Sequence, residues 1–321
     1  MRLARLALAF VLTMFVTAAM AQPYPARGIR LIVDTSPGGL TDLLARLSAE
    51  TLSARLGQPV VVENKPGASG NVAADLLIRS PADGYTLMVA AAGNLAVRPF
   101  LERSVPFDPL TDLVPVAPLT SSPVVVAISA KIPASNLDEF IALARREPGK
   151  LNYGSAGPGT IPHLAGELFS QSANVKLTAV HYRGAGPALT DLLAGQVQAI
   201  FVGLGVVRAH MAAGTVRVLA VSQPQRLQGA PEIPTAAEAG LAAFELNTWF
   251  GIVVPKGTPE RIVATLVRQI HAMQDDPLVQ KRLSEGGLDV LKESPAQFRA
   301  RMLRDHERFR EIVKTAGLKP E

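Results

Sequence analysis

The sequence predicts an α/β fold in two lobes, each a mostly parallel sheet flanked by helices, with crossover strands joining them. Three observations predict it. Short apolar runs alternate with helical patterns along the chain, as in parallel βαβ units. The 321 residues exceed the ~250–300 beyond which a single core tends to split. No Gly/Ser-rich linker separates two beads, so the lobes should share strands, near Pro118–Val124 and Glu245–Gly251. The competing arrangement is one large doubly wound sheet.

The elements follow in order. Ile29–Val33 reads as a strand. Leu40–Leu56 then places Leu40, Leu43, Leu44, Leu47 and Leu52 on one helical face. Val60–Val62 is a second strand, closed by Lys65-Pro66-Gly67. A short helix passes through Leu76-Leu77, and Asp83-Gly84 turns into the strand Tyr85–Val89. Val124–Ser129 is a strand, after which Ser135 and Asp138 form a capping-box-like helix start. Asn152–Gly154, Thr178–Tyr182, Ala199–Val202 and Arg217–Val221 are further strands, each but the last followed by a helical segment. Thr235 with Glu238 is another capping box. Trp249–Val254 is a strand, on which the sole tryptophan should pack. Thr258-Pro259 and Ser294-Pro295 each supply an N-cap followed by proline at the first helical position. The last helix runs to about Ala316, with Gly317 as its stop.

The ends and the composition bound the function. Arg2 and Arg5 precede an apolar run from Leu6 to Ala18, and Ala19-Met20-Ala21 is an A-x-A cleavage signal. That order is a secretory signal peptide, spanning residues 1–21, and the run is too short for the ~20 residues of a membrane span. The expected location is the periplasm, with no membrane insertion of the mature chain. The chain has no cysteine, which excludes disulfides, thiolate chemistry and a lipoprotein anchor. The formal charge is +5, and removing Arg2 and Arg5 leaves +3. The basic residues are scattered beside acids, as in Arg304-Asp305 and Glu307-Arg308, so no nucleic-acid partner is expected.

Parallel sheets bind ligands beyond the carboxyl ends of their strands, at helix N-termini. Two such turns are rich in glycine: Ser36–Asp42 and Tyr153–Thr160. Glycine lets backbone approach a ligand, while free N–H groups and the helix dipole attract an anion. The alternative is a plain strand-to-helix turn, with Thr160 acting only as a cap. Neither loop is a P-loop or a dinucleotide fingerprint. A carboxylate suits such a neutral cradle, and no cofactor is expected. Gly154-Ser155-Ala156-Gly157 is not a nucleophile elbow. His163 and Glu167 share a helix face but supply too few ligands for a metal.

These residues resemble the Bug family, the solute-binding components of tripartite tricarboxylate transporters. The resemblance spans the mature chain. It rests on Tyr24-Pro25, Pro37-Gly38-Gly39 followed by Asp42, the run Leu56–Ala68, Pro81–Leu87, and Leu151–Gly157. Gly159-Thr160 with His163–Glu167, Tyr182-Arg183-Gly184, Pro187–Leu193 and Trp249-Phe250-Gly251 complete it. It implies a flytrap-like periplasmic-binding-protein fold that holds a small carboxylate partly by backbone amides and waters. It also implies membrane transporter subunits as partners and no enzymatic activity. The candidate ligand-binding set is Gly38, Gly39, Thr41, Asp42, Gly93, Asn94, Ser155, Ala156, Gly157, Gly159, Thr160, His163, Tyr182, Gly184 and Val202. The expected division is 22–122 plus 247–321 for the first lobe and 123–246 for the second. Rival functions are a ligand-sensing subunit for a membrane sensor, and a hydrolase or lyase using Ser155, His163 or Asp42. The chain departs from the family at Asp34, Ser36, Ser69, Ala91, Ala92, Ala185, Gln198 and Val202. The lost hydroxyls and acid point to a less polar or larger carboxylate, including an aromatic one.

Overall fold

The computed structural model describes residues 24–35, 37, 40–67, 70–101, 105, 107–182, 184–315 and 317–318. The signal-peptide segment lies outside the described residues, as do Ser36, Gly38, Gly39 and Ser69.

The strands are β1 (Ile29–Val33), β2 (Val60–Asn64), β3 (Thr86–Ala91), β4 (Leu113–Ser129), β5 (Asn152–Ser155), β6 (Thr178–His181), β7 (Ala199–Gly203), β8 (Val216–Val221), β9 (Asn247–Pro255) and β10 (Asp289–Val290). The helices are α1 (Leu40–Leu56), α2 (Asn71–Ile78), α3 (Leu137–Arg146), α4 (Ile161–Ser172), α5 (Ala185–Ala194), α6 (Leu204–Ala212), α7 (Glu260–Gln274), α8 (Pro277–Glu285) and α9 (Pro295–Thr315). A π-turn over Gly93–Val97 and a 3₁₀ turn over Arg98–Phe100 follow β3.

The strand order is β2-β1-β3-β9-β4-β7-β5-β6, with β10 and β8 also paired to β4. β1 runs parallel to β2 and β3, and β5 runs parallel to β6 and β7. β4 joins the two parallel groups. Its Leu113–Pro123 part pairs antiparallel with β9, and its Val124–Ser129 part pairs antiparallel with β7 and β8. Sixteen of the seventeen β4 residues are buried, as befits a strand covered on both faces. Two lobes and one hydrogen-bonded sheet therefore coexist, because a single strand threads both.

The core follows the same plan. Leu31, Val33, Leu52, Val89, Ile252 and Leu266 form one cluster under α1 and α7. Val125, Ala127, Leu192, Ile200, Leu204 and Val207 form another under α5 and α6. A third continues from Ile32 and Met88 to Phe140, Phe169, Phe201 and Phe244. Each such side chain removed from water contributes about 1.5–3 kcal/mol. Trp249 packs edge-on against Phe298 of α9, ring centroids 4.9 Å apart. Its Nε1–H donates to Asp305 Oδ2 at 2.8 Å. Burial raises the Asp305 carboxyl above the usual range despite that bond.

Several local expectations are corrected. On α1 the buried face is Thr41, Asp42, Leu44, Ala45, Ser48, Ala49 and Leu52, and Leu40 and Leu43 point outward. The apolar stripe is displaced because two polar residues, Asp42 and Ser48, have partners or small size that let them face inward. The α3 cap is Asn136, not Ser135. Asn136 Oδ1 accepts from Glu139 N–H at 2.9 Å, and Glu139 Oε2 accepts from Ser135 N–H at 2.7 Å. Thr235 and Glu238 make both capping-box bonds, yet they close a turn and not a helix. α7 starts one residue later than expected, with Pro259 at the cap position and Thr258 Oγ1 donating to Pro255 O.

Candidate functional site

The second-lobe loop is built where β5 ends and α4 begins. Gly157 and Gly159 take φ of +130° and +68°, the left-handed region that glycine enters without strain. This folds the loop over Ser155. Ser155 Oγ hydrogen-bonds His181 Nδ1 at 2.7 Å and accepts from Gly157 N–H at 3.3 Å. His181 reaches it because β5 and β6 pair Ser155 directly with His181. Gly159 N–H donates to His163 Nδ1 at 3.0 Å, so that ring must be neutral with its proton on Nε2, which lies 3.9 Å from Glu167 Oε1. Burial, and then the neighbouring His181, hold the His163 pKa below its usual value. Tyr153 OH donates to Glu167 Oε1 at 2.7 Å and fixes the carboxylate.

Thr160 occupies the α4 cap position, but its hydroxyl turns back to Gly157 O at 2.7 Å and caps nothing. The first donors of α4, the N–H groups of Ile161 and His163, have no partner among the described residues. Pro162 has no N–H to offer. This is an N-terminus left open for an acceptor, carrying the positive end of the helix dipole.

In the first lobe, Thr41 and Asp42 sit buried in the first turn of α1. Asp42 takes a bidentate pair from Arg46 at 2.9 and 3.0 Å and a third bond from Asn64 Nδ2 at 2.9 Å. Asn64 also donates to Thr35 O at 3.0 Å. Asp42 thus ties α1 to the ends of β1 and β2. Asn94, in the π-turn after β3, donates its Nδ2–H to Asp34 Oδ2.

The two groups of residues face each other. A Cβ on Gly93 would lie 3.8 Å from Ile161 Cγ1, and a Cβ on Gly159 would strike Leu101 Cδ1. The loop after β3 therefore meets the α4 N-terminus across the gap between lobes. On another edge, Gly205 of α6 abuts Gly286 and Gly229 abuts Ser284, both at the end of α8.

Of the predicted set, Gly93, Asn94, Ser155, Gly157, Gly159, Thr160 and His163 are brought to this gap or to the network beneath it. Gly184 N–H donates to Ala156 O at 3.2 Å, which joins the start of α5 to the loop. Tyr182 OH donates to Asp191 Oδ2 at 2.7 Å, and burial first, then this acceptor, push its hydroxyl up to about 12. Val202 packs in the core under α5 and α6. Sequence reasoning did not place Asp34, His181, Ile161, Leu101 or Gly205 in the set. The position of Asp34 and His181 at strand carboxyl ends was the available signal.

The arrangement does not present a nucleophile. Ser155 is 0 % exposed, His163 Nδ1 accepts from the backbone, and Asp42 is engaged by Arg46 and Asn64. Among the described residues, no group of three or more His, Asp or Glu is placed to hold a metal ion. A polar cavity of about 410 Å³ near Ser121, Asn247 and Arg301 contains none of the predicted residues. Among the described residues, no helix is long and apolar enough to cross a membrane.

Two α/β lobes that share strands have the fold of the periplasmic binding proteins. The chain belongs to the TctC family, the tripartite tricarboxylate transporter family receptors, whose sequence profile matches residues 44–318. It is 37% identical to protein BugT of Bordetella pertussis over 310 residues, covering 94% of this chain and 95% of BugT. The structure of R. palustris Rpa4515 with adipate superposes with a TM-score of 0.81 at 34% identity, over 93% of this chain and 100% of that one. MatC from Rhodopseudomonas palustris with bound malate gives 0.76 at 31% identity, over 90% and 100%.

Proposed function

We propose that this protein captures a small solute bearing at least one carboxylate between its lobes and passes it to membrane subunits of a tripartite tricarboxylate-type transporter. The carrying observation is the open N-terminus of α4, which offers the Ile161 and His163 N–H groups where the lobes meet. Such an end favours an anion. The run Tyr153–His163 contains no lysine or arginine, so the cradle is neutral and suits a carboxylate better than a phosphate. The adipate and malate bound by the two structural relatives support this ligand class. The first lobe is 22–122 with 247–321 and the second is 123–246, a division supported by the change of β4 partners at Pro123/Val124. Of the residues named from the sequence, Gly93, Asn94, Gly157, Gly159, Thr160 and His163 line the ligand gap. Residues 1–21 direct export to the periplasm and are removed after Ala21.

Mass spectrometry of the solute that co-purifies, followed by calorimetry, tests this reading. The expected result is that the carboxylate binds and that its fully esterified or amidated form binds far more weakly, because charged acceptors gain most from these donors. Equal affinity for the acid and its neutral derivative would overturn the proposal.

A further inference from the structure

The carboxyl end of β1 holds an acceptor that a plain carboxylate would leave unpaired. Asp34 is 4 % exposed. Its Oδ2 accepts from Asn94 Nδ2, but its Oδ1 is buried with no hydrogen-bond partner among the described residues. The next side chain repeats the pattern, since Thr35 Oγ1 is also buried without a partner among them. Buried polar atoms are nearly always paired, and an orphaned carboxylate oxygen is costly. Strand carboxyl ends are where ligands of α/β sheets lie, and Asn94 follows Gly93, which faces Ile161 of the other lobe. Gly70 stands against the pair, and a Cβ on it would lie 3.0 Å from Asn94 Nδ2 and 3.3 Å from Asp34 Oδ2. Burial raises the Asp34 carboxyl above its usual range, opposed by the Asn94 bond, by its own backbone N–H and by the charge of Arg98.

Resting on the carboxylate reading above, we propose that Asp34 Oδ1, with Thr35 Oγ1 beside it, is an acceptor subsite for an N–H donor on the bound solute. The solute is then a carboxylate that also carries a carboxamide or an ammonium group. Its anionic end meets the α4 N-terminus of the second lobe, and its donor end meets β1 of the first. A solute with both ends bridges the lobes, which a simple monocarboxylate of the same length does not. The substitution of an acid at position 34, noted from the sequence as a departure from the family, becomes a specificity determinant.

Paired probes test this. Succinamate and monomethyl succinate each keep one carboxylate and differ in whether the other end donates, and adipamate with monomethyl adipate extends the comparison. Calorimetry on the mature protein should show at least one half-amide binding about tenfold tighter than its half-ester, the step expected of one charge-assisted bond. In Asp34→Asn and Asp34→Ser, each checked for a folded circular-dichroism spectrum, that preference should fall to about threefold or less, while the half-ester is bound as before. Half-amide and half-ester of equal affinity in the wild type would overturn the subsite and leave the carboxylate reading standing. An undiminished preference in both variants would overturn it too. If succinate, adipate and all four probes fail to bind, the subsite is overturned for these chain lengths, and the carboxylate reading is decided separately by the co-purified solute and its neutral derivative.

Discussion

Replacing Gly205 with alanine should weaken solute binding without weakening the fold. Gly205 lies in α6 of the second lobe and meets the end of α8 in the first. A Cβ there would sit 2.7 Å from Gly286 O, whereas ordinary contact begins at 3.4 Å, a shortfall of 0.7 Å. The obstacle is a backbone carbonyl, so it does not swing aside as a side chain would. Gly229 meets Ser284 O in the same way at 2.8 Å, which makes this edge a seam of close backbone approach. Overpacking of this kind costs about 1–3 kcal/mol. Where opening of the lobes separates this seam, the added methyl is relieved of the clash and improves α6 by up to ~1 kcal/mol, because alanine is the better helix former. The cost therefore falls on the closed form alone, and a solute that binds that form loses about 5–150-fold in affinity. Calorimetry with the co-purified carboxylate reads this directly, and the ligand-free melting temperature should stay level or rise slightly. Gly186→Ala is the control, since nothing lies within 4 Å of its Cβ position. A folded Gly205→Ala protein with wild-type affinity would refute the reasoning, because the seam would then be irrelevant to the bound state.

Three further outcomes are expected. The folded pKa of His163 lies below its ordinary 6.5, so its contribution to stability is complete above that pH and is lost as pH falls below it. Solute affinity should decline at lower pH still, as His163 of the folded protein takes up a proton and loses its acceptor for Gly159 N–H, and His163→Asn, whose Oδ1 can still accept from Gly159 N–H, should flatten the affinity profile; half-buried His306, also lowered, preserves part of the stability slope. Gly157→Val should abolish binding while the protein still folds, because φ of +130° strains a branched side chain and distorts the loop; calorimetry and circular dichroism together decide it. Trp249→Phe removes the indole donor from half-buried Asp305 and should cost about 1–3 kcal/mol in urea denaturation.

The βαβ order, the extents of β1 and α1 and the second glycine loop were legible because short-range rules govern them: apolar periodicity, turn residues and the strand-to-helix position of glycine. What was not legible depends on partners distant in sequence. Asp42 reads as a loop carboxylate that could meet solute, yet Asn64, twenty-two residues on, helps bind it into the frame. Asp34 reads as a substitution in a lead-in, and only the return of the chain sixty residues later brings Asn94 to it. Ser155 and His181 look unrelated until β5 and β6 pair in register. The misplaced apolar face of α1 has the same origin, since polar residues turn inward once tertiary bonds satisfy them. Gly205 and Gly229 carry no local signal at all, because what excludes a Cβ there is the other lobe.

Capture of a carboxylate between two closing lobes is tested most directly by small-angle X-ray scattering on the mature protein, with and without the co-purified carboxylate at saturation. A solute that engages the α4 N-terminus and the first-lobe loops together binds the closed form better and draws the population toward it. The radius of gyration should fall on addition of the acid and stay unchanged on addition of its ester. At ~100-fold above its dissociation constant the acid should also add ~2.7 kcal/mol of stability. A profile that remains that of an open particle at saturation, while calorimetry shows the site filled, would contradict closure around the solute.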